Sequence, residues 1–431
     1  MSFPASRAES RSGMTSSPPP LWRVNVRVLG YIPPDEGHVY QEVGSPLGIE
    51  SICFVDNDII AVSFVTREAP ATLPRRNQVG DSLPFRLHAI FIDTKTGQVR
   101  AAREWPTASV RSRVLAVLGG KFAVLTPDQL MLYSADLDLL NTLDTPVGRE
   151  SVKDDWQATT SPGDRYLLLS YEPATEEKRI AGLPPTVLEA QLDELEMRLE
   201  WIDLQNLRPV ERWSTTAKSS EGFSEPEAIS DEGLVQRVKR GKGNDGAPLY
   251  SYVVEIGKPP NGPWSLMCFP SDSFCGPGEF VNNDTILRTR LTGLDKDVQV
   301  WIGLLSTNGK LLFQQTFSKG EVPDQLRPGT EAPQRGVEIS AGGRRFALAV
   351  AKLKGGNTFL DIGGHTSVDR IMVYDLPNRQ WIYTLDAKTQ NIKSISGMAL
   401  SQDGSLLGLI NQEGILEIFR VPARANPRII Q

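Results

Sequence analysis

The sequence predicts an all-β fold, a seven-bladed β-propeller whose ring is closed by an N-terminal strand pairing with the C-terminal blade. Three observations lead there. A hairpin recurs along the chain, its first strand ending in Asp or a substitute before a tight turn. Seven further pairs of apolar strands stand upstream of those hairpins. The last repeat, Ser396–Val421, holds three strands where the others hold four, and Trp22–Val28 supplies a fourth. In that segment Val24, Val26 and Val28 alternate with Arg23, Asn25 and Arg27, the period-2 pattern of a half-buried strand.

The inner pairs come first in each repeat. They are Ile49–Val65 around Asp56-Asn-Asp58, Val114–Leu125 around Gly119-Gly120, and Trp156–Ser170 around Ser161-Pro-Gly-Asp164. Ala228–Val238, Phe280–Arg290, Val337–Ala351 and Met398–Ile410 complete the seven. The outer hairpins follow at Ala89–Asp93, Met131–Asp136, Leu199–Asp203, Val253–Lys258, Trp301–Leu305 and Ile371–Asp375, with the lone strand Ile415–Val421 left for Trp22–Gly30 to complete. Asp at a strand end is a turn former, because its carboxylate accepts backbone N–H groups two residues on. Asp93, Asp136, Asp203, Lys258, Leu305, Asp375 and Arg420 are separated by 43, 67, 55, 47, 70 and 45 residues. The shorter steps fit one blade of about 40–45 residues and the longer ones carry insertions.

The insertions read individually. Ala69–Pro84 is a loop with Pro and Arg, Gly320–Gln334 a Pro-rich connector and Gly355–Val368 a Gly-rich loop. Pro184–Leu195, with Val187, Leu188, Leu192 and Leu195, predicts a short amphipathic helix expected to pack on the third blade, a partner-docking face being the alternative. Residues 1–20 are expected to be a disordered polar leader, 22–422 the propeller and 423–431 a tail.

Composition narrows the classes of function. Hydrophobic residues at 40% and charged residues at 23% fit a globular chain, and 37 Gly with 31 Pro fit many tight turns. A formal charge of −6 provides no broad positive field, so nucleic acid is not an expected partner. No apolar run approaches the ~18 residues of a membrane span, and residues 1–20 lack the apolar core of a secretory signal. The expected compartment is cytoplasmic, with export the alternative if the start site is wrongly placed. Cys53, Cys268 and Cys275 have no paired metal spacing. Cys53 reads as a small buried hydrophobe, and Cys268–Cys275 as two thiols or, in an exported protein, a short disulfide loop.

The last blade, with Leu400-Ser-Gln-Asp-Gly404 and Leu416-Glu-Ile-Phe419, resembles bacterial WD40-like and YVTN-type propeller repeats, as do Ser161-Pro-Gly-Asp164 and Val373-Tyr-Asp375. The resemblance implies a seven-bladed ring used as a binding platform. No Trp-Asp dipeptide occurs, and Gly-His occurs only at 37–38 and 364–365, so the hydrogen-bonded tetrad of true WD40 repeats is not expected.

Chemistry has few candidates. Asp93-Thr-Lys-Thr96-Gly97 with Trp105 is similar to the corner motif of quinoprotein propellers, but the spacing differs and no other blade repeats it, so no cofactor is expected. His38, His88 and His365 lie on separate segments without metal-ligand spacing, and no metal site follows from them. A Gly-x-Ser-x-Gly elbow and a phosphate loop are absent. The basic run Arg237–Lys242 reads as a solvated strand end. Asp361-Ile-Gly-Gly-His365 remains the local ligand-binding candidate, and no catalytic residue is assigned. The expectation is a monomeric, non-catalytic scaffold for a protein or small-molecule ligand. The alternative is a lactonase-like, metal-dependent hydrolase with carboxylates converging on the central channel.

Overall fold

The computed structural model describes residues 18–31, 52–67, 85–173, 194–218, 225–242, 248–266, 278–292, 299–317, 321–323, 337–340, 342–354, 365–388, 390, 395–411 and 413–423. Their strands form seven antiparallel sheets, each a blade. The chain enters through β1 (Trp22–Asn25). Blade 1 is β2 (Ile52–Phe54), β3 (Ile59–Arg67), β4 (Phe85–Asp93) and β5 (Val99–Thr107). Blade 2 is β6 (Arg113–Val117), β7 (Lys121–Leu125), β8 (Gln129–Ser134) and β9 (Leu139–Asp144). Blade 3 is β10 (Ser151–Thr160), β11 (Tyr166–Pro173), β12 (Glu194–Asp203) and β13 (Arg208–Lys218). Blade 4 is β14 (Glu225–Ile229), β15 (Val235–Lys242), β16 (Pro248–Gly257) and β17 (Trp264–Leu266). Blade 5 is β18 (Gly278–Asn282), β19 (Thr285–Thr292), β20 (Gln299–Ser306) and β21 (Leu311–Thr316). Blade 6 holds β22 (Glu321–Pro323) and β23 (Val337–Ile339), both on the edge of β24 (Arg345–Lys354), then β25 (His365–Asp375) and β26 (Gln380–Asp386). Blade 7 is β27 (Ile395–Leu400), β28 (Leu406–Asn411) and β29 (Ile415–Arg420), with β1 as its outer strand.

The ring closes as the alternation of Trp22–Val28 predicts, but over a shorter span. Trp22 lies opposite Ile418 and Val24 opposite Leu416, with Val26 N–H bonded to Gly414 O at 2.9 Å. β29 begins at Ile415, so the ladder ends at Asn25, with Gly414 O taking the last bond from Val26 N–H. Residues Val26–Leu29 instead satisfy themselves in a 3-10 turn, capped by Asn25 Oδ1 on Arg27 N–H and ended by Gly30 at φ 96°. Val26 is fully buried, whereas Val28, expected on the same face, is 77% exposed.

Each interface between blades is a separate apolar layer. Val26, Ile52, Phe54, Ile60, Ile410 and Leu416 join blades 7 and 1. Phe346, Tyr374 and Leu348 meet Val281, Ile302 and Leu304 between blades 6 and 5. Burying one such side chain contributes about 1.5–3 kcal/mol, and each blade lies between two of these layers, which closure of the ring supplies to blades 1 and 7 as well.

The two ring faces differ. Turns joining the first to the second strand of a blade, and the third to the fourth, lie on one face and are at most six residues long. Connections from second to third strand, and from blade to blade, have their ends on the other face; two of them, 68–84 and 174–193, are 17 and 20 residues long. On the turn face neighbouring blades are laced together by Gln402 Nε2–H to Val55 O (3.1 Å), Gly342 N–H to Gln402 O (3.1 Å), Asn282 Nδ2–H to Gly343 O (3.3 Å) and Gly163 N–H to Asp231 Oδ1 (3.0 Å).

Five outer hairpins share a β-bulge between the second and the first residue before the corner, at Phe91/Ile92, Leu132/Tyr133, Trp201/Ile202, Leu304/Leu305 and Val373/Tyr374. The corner residue is Asp93, Asp203 or Asp375 in three blades; in blades 2 and 5 it is Ser134 and Ser306, not Asp136 and Leu305, and in blade 4 the strand ends at Gly257, one residue before Lys258. The Ser hydroxyls do the carboxylate's work, accepting Asp138 N–H at 3.2 Å and Lys310 N–H at 3.0 Å.

Other expectations shift as well. The connector 320–334 contains strand β22, and the loop 355–368 gives up 365–368 to β25. Of the expected helix 184–195, residues 184–193 lie outside the described residues, and Glu194 and Leu195 open β12.

Candidate functional site

Asp361, Cys268 and Cys275 lie outside the described residues. His365 begins β25, where its backbone pairs with Lys354. Cys53 is half-buried on β2, its thiol 3.9 Å from Val114 O. His88 is structural: Nε2 meets Thr66 Oγ1 at 2.7 Å, Nδ1 meets Glu104 at 3.2 Å, and the ring stacks on Phe64. Among the described residues no three His, Cys, Asp or Glu side chains group closely enough to hold a metal ion.

Charged side chains that the fold buries join strands and blades. Arg345, at the start of β24, sends Nε–H to Asp375 Oδ1 (3.2 Å), one terminal N–H to Gly404 O of blade 7 (2.8 Å) and another to Ala423 O (3.2 Å). One guanidinium thus ties two blades and the end of the propeller together. Arg370 forks onto both oxygens of Glu321 at 3.0 Å and also bonds Asp369, fixing β22 to the body of blade 6. Arg212 reaches the buried Glu200 at 2.6 Å across β12 and β13. In the basic run, Arg237 pairs with Glu255 at 2.6 Å and lies over the Trp264 ring, 3.6 Å from its centroid, so its charge is spent inside blade 4. On the closing seam Arg23 pairs with Glu417, whose carboxyl burial pushes up from its ordinary value.

Asp93 acts as a turn former. Its Oδ1 accepts Lys95 and Thr96 N–H at 3.0 and 2.9 Å, and the Arg100 guanidinium beside it holds its carboxyl down at about 2. Gly97 then takes φ +71° under the Trp22 indole, which donates to Thr94 O at 2.6 Å. The Thr-x-Thr-Gly resemblance to a quinoprotein corner is therefore a docking point for the closing strand.

What the fold leaves outward is a set of seven outer strands, and they differ in chemistry. β5 carries Arg100, Arg103, Glu104 and Pro106, β13 carries Arg208, Pro209, Glu211 and Arg212, and β17 is three residues long. These are devices that keep an edge from pairing. β9, Leu-Leu-Asn-Thr-Leu-Asp, has none before Asp144, and every residue but Leu143 is exposed. Leu139 is 55% and Leu140 49% exposed.

No protein-family model matches the sequence, and no curated protein does. Solved structures similar to it include the C-terminal WD40 domain of Sif2, at 12% identity and TM-score 0.41, over 87% of this chain and 97% of that one. The Neurospora crassa Pan2 WD40 domain aligns at 13% identity and TM-score 0.46, over 96% and 98%. A chain of the mitotic checkpoint complex aligns at 12% identity and TM-score 0.42, over 98% and 96%. The seven-bladed ring itself rests on the strand pairing within this chain.

Proposed function

We propose that this propeller is a binding scaffold for protein partners. The observation that carries the reading is the use of its charge: Arg345, Arg370, Arg237, Glu200 and Glu417 are bound into strand and blade junctions. A site of chemistry needs polar groups held against a vacancy, whereas these groups are held against one another. The hydrogen-bonded turn face supports the same reading, since a stiff ring presents outer edges at fixed positions. No helix among the described residues is long and apolar enough to cross a membrane.

Immobilised full-length protein, set against the same protein heat-unfolded, tests this in extracts of the native host. A saturable, stoichiometric protein partner retained only by the folded ring is the expected result. Its absence overturns the reading, as does stoichiometric calcium or zinc in the purified protein, which the metal-dependent hydrolase requires.

A further inference from the structure

We propose that His88 makes ring closure proton-sensitive: when its imidazole takes up a second proton, the seam between blades 1 and 7 grips the N-terminal turn Val26–Tyr31 more tightly. The inference stands apart from the scaffold reading, because its ligand is the proton and its readout is the seam itself.

Geometry assigns the protons of the neutral form. His88 Nδ1 lies 3.2 Å from Glu104 Oε1, and Nε2 lies 2.7 Å from Thr66 Oγ1. An ionised carboxylate only accepts, so the single proton of a neutral imidazole sits on Nδ1 and the Thr66 hydroxyl donates to Nε2. A second proton at Nε2 reverses that bond: Nε2–H donates to Thr66 Oγ1, and the half-exposed hydroxyl turns its own proton to water. No heavy atom has to move. The His88 side chain is 22% exposed, so protons reach it from solvent.

What changes is the charge beside Phe64. The imidazole lies parallel to the Phe64 ring, with 9° between the planes and 5.0 Å between the centroids. A neutral ring only packs there, whereas a cation is drawn to the negative face of the phenyl ring. Phe64 passes the contact on to the closing segment. Tyr31 meets it edge-on at 5.5 Å, and a Cβ on Gly30 would lie 3.8 Å from its tip. Tyr31 N–H bonds to Val26 O at 3.0 Å, and Val26 N–H bonds to Gly414 O of blade 7 at 2.9 Å. His88 therefore sits one ring away from the turn on which β1 hangs.

The neighbouring charges set the sign. Among the described residues, the charged groups beside His88 are Glu104 of β5 and Arg86 of its own strand, and Arg86 lies 3.5 Å from the other oxygen of Glu104. Glu104 thus balances the imidazolium while sharing its charge with Arg86. Strand β3 meets the imidazole with Thr66 and Phe64, which are neutral. Arg27, on the N-terminal turn, lies against Gly414. Blade 7 turns Val24 and Leu416 toward this seam, so alternation puts Arg23 and Glu417 on its far face. A cation held over a ring at a partly exposed site is worth about two- to fivefold in an equilibrium, which is the size of effect expected here.

Native-state hydrogen exchange of the full chain, corrected for intrinsic exchange rates, reads the seam. Protection of the Val26, Gly30 and Tyr31 amides, taken relative to the Leu167–Leu169 amides of blade 3, is expected to rise about threefold from about pH 7.5 to about pH 5.5, the interval in which histidine gains its charge. His88→Gln, which stays polar but takes no charge, is expected to flatten the rise. Phe64→Leu, which keeps the layer apolar but removes the ring face, is expected to flatten it too and serves if the glutamine variant misfolds. Glu417→Gln removes the other proton-binding group of the closing strand pair, and the rise is expected to survive it. A wild-type protein with no rise overturns the proposal, as does a rise that persists in His88→Gln or Phe64→Leu with the fold intact. So does a rise that disappears in Glu417→Gln.

Discussion

Arg345→Ala removes the guanidinium that ties blade 6 to blade 7 and to Ala423. Arg345 and Asp375 are both buried, with side chains 10% and 7% exposed, so solvent screens neither. Breaking a buried ion pair by removing one partner costs about 3–5 kcal/mol, because the other charge stays buried. Asn378 still donates to Asp375 from both its backbone and its side chain, which places the loss toward the lower end. The two stranded carbonyls, Gly404 O and Ala423 O, add about 1 kcal/mol each unless water reaches them. A total of about 5 kcal/mol is roughly several thousandfold in the folding constant.

The double variant Arg345→Ala/Asp375→Ala separates pairing from packing. Removing Asp375 takes away the stranded charge, so the double variant should be more stable than the sum of the single losses by about 1–3 kcal/mol. Arg345→Met, which keeps the aliphatic stem, should fall between wild type and Arg345→Ala. Urea unfolding followed by tryptophan fluorescence supplies the midpoints and slopes. A loss under about 1 kcal/mol for Arg345→Ala, or strict additivity in the cycle, would show that the guanidinium is solvated and that the clip does not join the blades.

Four further outcomes follow from the same contacts. Gly97→Ala puts a Cβ 2.9 Å from the Trp22 ring at φ +71°, so thermal unfolding should show a loss of about 1–3 kcal/mol, and Trp22→Ala combined with it should remove the steric part. Arg370→Leu should free β22, seen as faster hydrogen exchange at the Glu321 and Val322 amides while β25 keeps its protection. Asp93 has its carboxyl lowered from 3.8 to about 2, so its contribution is whole above pH 3.8 and lost as pH falls through 2; acid titration of the Thr96 amide should show that step, and Asp93→Asn should abolish it. Glu417 is shifted the other way, raised above 4.5 by burial, so its contribution is whole below pH 4.5 and lost as pH rises through the raised value. The melting temperature of Glu417→Gln should therefore match wild type near pH 4 and exceed it at pH 7, and a reversed order would overturn the assignment.

The ring was legible because its signals are local. Strand alternation in Trp22–Asn25, turn residues at Asp56–Asp58 and Ser401–Gly404, and the missing fourth strand of the last repeat all lie within short windows, and the structure places β1 on β29 accordingly. Val28 misled because alternation reports a pattern and not the length of the partner strand, which stops at Ile415. Arg345 was illegible for a different reason. Its partners lie 30, 59 and 78 residues away, and two are backbone carbonyls, which have no identity in a sequence. Glu321 was hidden inside a Pro-rich segment whose pairing depends on Arg370, 49 residues on. The exposure of Leu139 and Leu140 on β9 needed the strand's outer place in blade 2, since its sequence alone reads as an ordinary outer strand.

The repeat in this chain is carried by backbone geometry more than by residue identity. Five outer hairpins bulge at the same pair, yet the extra residues are Arg100, Leu140, Val210, Leu312 and Ile382. The corner is Asp in some blades and Ser in others because either oxygen can accept the turn's amides. A bulge constrains twist and spacing but places little demand on the side chain, so the inner strands must be apolar while the outer strands are free to differ. That freedom explains how one ring holds together without a shared motif. It also means that each blade's edge is a separate surface: β5 and β13 carry charge and proline, β17 is only three residues long, and β9 is exposed at every residue but Leu143, so the outer edges differ from blade to blade while the inner layers repeat.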